Sequence, residues 1–170
     1  MTAPAAGLPR LVPVQGRALD GTLVELPSQL PGRRSVVVLA FRQRQQQDVD
    51  RWIDLAVALG VPPSPLDAAG PLETAVIEVP VLARRYLGAR RFIDGCMATS
   101  IADPAVLART ITVYTDPTAF RRRCGVPTAD EATVLLVDRA GVVTWHRTGP
   151  PQAEDRAALA DALAAGAPDA

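Results

Sequence analysis

The chain contains no lysine, so all 18 of its cationic residues are arginine. It has one histidine, His146, and two cysteines, Cys96 and Cys124, which lie 28 residues apart. A single histidine excludes a histidine-rich metal centre and argues against a Ser-His-Asp relay. The cysteine spacing is neither a Cys-x-x-Cys pair nor a metal-ligand pattern. There is no Gly-rich phosphate loop, and no carboxylate pair sits in a recognisable acid/base setting. No apolar run reaches the roughly 18 residues that mark a membrane span. The segment Met1–Pro9 has neither the basic head nor the apolar centre of a secretory signal, so a cytoplasmic protein without membrane insertion is expected. The formal net charge of zero gives no reason to expect nucleic acid or an anionic membrane as partner. The arginines have two readings: codon usage in a GC-rich bacterial genome, given the abundant Ala, Pro and Val, or a guanidinium-rich anion site. What is present, 170 residues that are 48% hydrophobic, suits one domain with a sizeable core. That domain is expected over residues 10–165, with frayed ends at 1–9 and 166–170.

Along the chain, Leu11–Gln15 and Leu23–Leu26 read as strands around Asp20-Gly21, a strong hairpin signal. The short apolar run Val36–Phe41 suits a central parallel strand. Gln45–Leu59 reads as a helix, with Val49, Trp52, Ile53, Ala56 and Leu59 on one face and Gly60 as its stop. Thr74–Val79 reads as a strand, and Pro80–Ile101 as a largely helical stretch broken near Gly88 and Gly95. Asp103-Pro104 and Asp116-Pro117 are cap-and-proline signals. They open a short turn to Ala108 and a helix over Thr118–Cys124, with the strand Thr110–Thr115 between them. Thr133–Asp138 and Val142–Arg147 form a hairpin around Arg139-Ala140-Gly141, and Gln152–Ala165 closes the chain as a helix. This order gives a central mixed sheet with helices on both faces and an N-terminal hairpin extension.

Two segments resemble known families. Ala18-Leu-Asp-Gly-Thr-Leu-Val-Glu-Leu26, followed by Val36–Phe41, resembles the opening of peroxiredoxin-like and TlpA-like thioredoxin-fold proteins. Tyr114, Phe120-Arg121, Leu136-Val137-Asp138, Gly141, Trp145, Gly149 and Glu154 form a series similar to the C-terminal part of the ATP10 family. Those are thioredoxin-like factors that assist assembly of the mitochondrial ATP synthase membrane sector. Thr144 departs from the series, standing where that family has Arg. The resemblance implies a thioredoxin-like α/β fold. It also implies a nucleophilic cysteine at the turn between the central strand and the next helix, where the helix dipole lowers the thiol pKa. That turn here reads Arg42-Gln-Arg-Gln-Gln-Gln47, with Gln46 about where the first cysteine falls and Val49 about where the second falls. The position before the Thr133 strand, where thioredoxins place a cis-proline, is Ala132, and Pro127 comes too early to replace it.

The expected function is therefore non-enzymatic: a redox-inactive thioredoxin-fold protein that binds another polypeptide as an assembly or chaperone-like factor. Its surface is expected between the Phe41–Asp48 turn and the Pro127–Thr133 loop, with Arg42, Arg44, Gln46, Ala132 and Thr133 as binding residues and no metal or cofactor. Two alternatives stay open. One is a one-cysteine thiol peroxidase or oxidoreductase with Cys96 as nucleophile and Arg90 and Arg91 lowering its pKa. The other is a small-anion or small-molecule binder at Arg42, Arg44 and the helix end at Gln46. Cys124, at a helix C-terminus, reads as a buried hydrophobe. Trp145 reads as core and His146 as exposed on an alternating strand. Arg121-Arg122-Arg123 reads as a solvated face, with docking to an acidic partner as the other possibility.

Overall fold

The computed structural model describes residues 7–67, 70–89 and 103–166. Strands β1 (Val14–Ala18) and β2 (Leu23–Leu26) form the expected antiparallel hairpin. At its turn the Asp20 carboxylate accepts the Thr22 N–H at 2.8 Å, and Gly21 takes a φ of 92°. The first strand starts later than the sequence suggested. Leu11 is fully buried core, and its N–H goes to Gly141 O at 3.1 Å rather than to β2.

β3 (Gly32–Ala40) lies in the middle of the sheet, parallel to β4 (Leu72–Ala83) and antiparallel to β6 (Thr133–Asp138). With β5 (Ile111–Thr115) and β7 (Val143–Thr148) the strand order is β2-β1-β5-β4-β3-β6-β7. β3 is unbrokenly apolar from Val36 because both of its faces are covered. Val36, Val38 and Ala40 pack with Val49, Trp52, Ile53 and Ala56 of α1 (Gln46–Ala58). Val37 and Leu39 pack on the other side with Phe120 and Cys124 of α3 (Pro117–Cys124). α2 (Pro104–Arg109) and α4 (Asp155–Ala164) complete the described helices. Both cap-and-proline signals are realised: Asp103 accepts from Ala105 N–H at 2.8 Å and Asp116 from Ala119 N–H at 3.0 Å.

β4 is longer than the expected strand Thr74–Val79. The strand does not stop at Pro80 to begin a helix but runs through it to Ala83. Pro80 pairs with Ala40, the last residue of β3, while Val81–Ala83 pair with Val113–Thr115 of β5. The proline thus sits where β4 passes from one neighbour to the other, and its missing N–H interrupts no continuing ladder. A 3-10 turn follows over Arg84–Ala89; residues 90–101 of the expected helical stretch lie outside the described residues.

Trp52 fixes α1 to the sheet. It is fully buried, its indole N–H donates to Gly149 O at 2.8 Å, and its ring meets Trp145 edge-on with centroids 5.9 Å apart. Trp145 is half-buried against this α1-side core. His146, next to it in β7, is half-buried rather than exposed, and its Nδ1 is buried without a hydrogen-bond partner among the described residues. Trp52→Ala should therefore cost about 3–5 kcal/mol of unfolding free energy in urea denaturation; a loss under about 1 kcal/mol would mean the ring does not anchor α1.

Candidate functional site

The turn from β3 into α1 is built around Gln45. The residue is 3% exposed, and its side chain uses both ends of the amide. Oε1 accepts the N–H groups of Phe41 (2.8 Å) and Arg42 (3.2 Å), while Nε2 donates to Ala129 O at 2.9 Å. Only a group that is both acceptor and donor can make this set. The amide ties the turn to the loop that precedes β6. A second tie lies outside it, where Arg42 and Arg44 converge on one oxygen of Asp130 at 2.9 and 3.4 Å. All three of these side chains are at least half exposed, so the ion pairs position the loops more than they stabilise them.

The other expected binding residues fall as follows. Gln46 is exposed and turns away from the loop; its Nε2 donates to Asp50 Oδ1 at 2.9 Å and Glu78 Oε1 at 3.1 Å. Ala132 and Thr133 are fully buried. Ala132 O accepts from Gly149 N–H at 2.9 Å, and the Thr133 hydroxyl meets that of Thr148 at 3.0 Å. The structure thus brings Arg42 and Arg44 together, withdraws Gln46, and puts Gln45 in the place the sequence reading gave to its neighbour. Three successive glutamines carry no residue-type signal that separates them; the start of α1 decides which one points inward.

Cys96, Arg90 and Arg91 lie outside the described residues. Cys124 is 1% exposed, and burial pushes its thiol up, outweighing the opposing effects of the Val12 backbone and Arg123. Its position makes it a packing residue. Among the described residues no group of three or more His, Cys, Asp or Glu side chains is placed to hold a metal ion, and no helix is long and apolar enough to cross a membrane.

No family model and no curated protein matches the chain. Solved structures do. One is BsSco, a member of the Sco family of cytochrome c oxidase assembly proteins, with a TM-score of 0.59, 13% identity, and coverage of 97% of this chain and 96% of that one. A second is a secreted thiol-disulfide isomerase from Corynebacterium glutamicum, with a TM-score of 0.57, 17% identity and 96% coverage of both chains. A third is a DsbF homologue from Corynebacterium diphtheriae, with a TM-score of 0.52, 14% identity, and coverage of 95% of this chain and 96% of that one. The fold is thioredoxin-like.

Within this thioredoxin-like frame, a buried carboxyl that the sequence reading passed over lies behind the turn. Glu78 of β4 is 4% exposed and pairs across the ladder with Val38. Burial holds its carboxyl above the usual value, and the Asp50 carboxylate adds to the effect; the Gln46 amide, Arg109 and Thr110 oppose it. One signal was present in the sequence: Glu78 is the only charged residue in the apolar stretch Ala75–Leu82. Beside the turn, Phe41, Val81, Tyr86 and Pro117 line an apolar hollow of about 350 Å³. Arg85 stacks over the Tyr86 ring there, 5.0 Å from its centroid.

Two outcomes follow for this region. Gln45→Ala leaves two N–H groups and one carbonyl without their partner and should cost about 1–3 kcal/mol in denaturant unfolding; the same change at the exposed Gln46 should cost less. Glu78 has a folded pKa above its unfolded value of about 4.5. Its contribution is fully present below that pH and is lost as pH rises through the raised folded value. Glu78→Gln keeps the acceptor for Gln46 and removes the charge. It should be more stable than the parent at about pH 8 and equal to it at about pH 4; a pH-independent difference would show that Glu78 does not titrate as its burial implies.

Proposed function

We infer that this is a redox-inactive, thioredoxin-like binding protein for another polypeptide, an assembly or chaperone-like factor working in the cytoplasm. The observation that carries the reading is the Gln45 clamp. At the β3–α1 turn, where the resemblance implies a nucleophilic thiol, an amide is buried and spent on three backbone groups. Such an amide has no redox chemistry, and it holds the turn and the Ala129 loop as one rigid edge. Next to that edge lie the Arg42 and Arg44 guanidiniums and the Phe41–Tyr86 hollow. Cation beside exposed aromatic is a combination favoured in polypeptide contacts. The ATP10-like series in the second half of the chain supports the same reading from its residues alone. A thioredoxin-like fold in assembly work has a precedent in BsSco, described as belonging to a family of cytochrome c oxidase assembly proteins.

The test has two arms. Insulin-disulfide and peroxide turnover by the native chain should equal buffer alone, and Cys96→Ser and Cys124→Ser should change nothing. Turnover that disappears in Cys96→Ser would replace this reading with a displaced thiol site. In the second arm, a photo-crosslinking phenylalanine analogue replaces Tyr86 in cells of the source organism. A discrete polypeptide adduct is expected there and none from the same analogue at Arg156, an exposed residue of α4. Equal adduct patterns at the two positions would remove the proposed surface.

A further inference from the structure

A larger concavity, of about 440 Å³, opens under the β1–β2 hairpin at the end of β4 and β5. Among the described residues two guanidiniums line it, Arg17 of β1 and Arg84 of the turn after β4, and no carboxylate does. Arg17 is held in place by its Nη1 bond to Gly21 O at 2.9 Å, which uses one of its five donors. Arg84 has no hydrogen bond or ion pair among the described residues. Glu25 of β2 is already engaged by the Gln15 amide at 2.7 Å. The apolar part of the wall is Val14, Leu23 and Leu87, of which Leu23 and Leu87 are 49% and 39% exposed. Thr112 also lines the cavity. It pairs directly with Arg17 across the β1–β5 ladder, and its hydroxyl is buried with no hydrogen-bond partner among the described residues, which buried polar groups seldom lack.

We propose that this cavity binds a small organic monoanion with an apolar body, a medium-chain carboxylate. The carboxylate lies between Arg17 and Arg84, and the chain runs along Val14, Leu23 and Leu87. The volume falls in the usual range for small-molecule sites, roughly 300–1,000 Å³. The wall is amphipathic: Val14, Leu23 and Leu87 offer an apolar stripe beside the two guanidiniums and the polar side chains of Gln15 and Thr115. Guanidinium matches carboxylate in planar, two-pronged geometry, which a lysine in either place would not. Among the described residues two cations and no lining anion give the cavity a positive charge that a neutral ligand would not use and a cation would be repelled by.

The test is an NMR titration of the full isotope-labelled chain with octanoate, and separately with octylammonium, which has the same apolar body and the opposite charge. Octanoate should give saturable shifts at the amides of Gln15–Arg17 and Thr112–Thr115 and none at Phe41–Asp48. Arg84→Gln, at an exposed position with no hydrogen-bond or ion-pair partner among the described residues, should weaken octanoate by about tenfold, the loss of one hydrogen bond to a charged group. Leu23→Asp should weaken it independently by placing a carboxylate at the rim. Octylammonium should give no saturable shift. The proposal is overturned if octanoate shifts do not saturate or map elsewhere, if Arg84→Gln binds as the parent does, or if octylammonium binds equally well.

Discussion

The β3–α1 turn depends on one side-chain amide. A chain leaving a central strand for a helix exposes N–H groups with no intrahelical partner, and burial makes each of them costly. Gln45 answers two of these groups with one oxygen and uses its nitrogen to reach the carbonyl of Ala129 in the loop before β6. The turn and the loop belong to opposite neighbours in sequence order, more than 80 residues apart. Their tie makes the end of the sheet a filled edge rather than an open cleft. A thiol in the same place could not make these bonds, so the residue that stands here in place of a cysteine is also the one that ties the turn to the loop.

Arginine richness has a structural meaning that composition does not reveal. Many guanidiniums here bind backbone carbonyls rather than carboxylates. Arg34 reaches Ala162 O and Leu163 O at the end of α4, Arg139 reaches Leu30, Pro31 and Gly32, and Arg10 reaches Ala140. Arg121, which the sequence placed on a solvated face with Arg122 and Arg123, donates to Val126 O and Pro127 O and shapes the loop after α3. A planar group with five donors can staple several carbonyls at once, and an ammonium cannot do so in fixed geometry. The described arginines therefore differ in use: Arg10, Arg34, Arg121 and Arg139 staple carbonyls, Arg42 and Arg44 share the Asp130 carboxylate at the surface, and Arg84 turns its charge toward the cavity under the hairpin.

What was legible in the sequence was what local chemistry decides. Asp103, Asp116 and Asp20-Gly21 act through bonds to residues two or three positions away, so their roles could be read directly. The apolar face of α1 and the double-sided burial of β3 follow from spacing alone. β4 was misread because proline is a local stop signal, while the handover from β3 to β5 that tolerates it is a property of the sheet. Gln45 and Glu78 were missed for a related reason. Their partners, Ala129 and Gln46, come from other segments, and no spacing rule links them. Much of the ATP10-like series also proves to be packing: Phe120 is core, Trp145 meets Trp52, and Gly149 supplies the carbonyl that holds the Trp52 indole.

The topology gathers these features at one place. β3, β4 and β5 run parallel, so their carboxyl ends, Ala40, Ala83 and Thr115, emerge on the same edge of the sheet, and β6 begins there in the opposite sense. In open α/β sheets this is the edge at which ligands sit, because adjacent strands send their connections apart and leave a crevice between them. Here the crevice is divided. Beside β3 it is filled by Gln45 and flanked by the Phe41–Tyr86 hollow; beside β5 it stays open as the arginine-lined cavity. Glu78, buried just before the edge, carries a desolvation cost that a residue chosen for packing alone would not. The crevice is thus filled beside β3, where an amide stands in place of a thiol, and open beside β5, so one edge of the sheet carries two different surfaces.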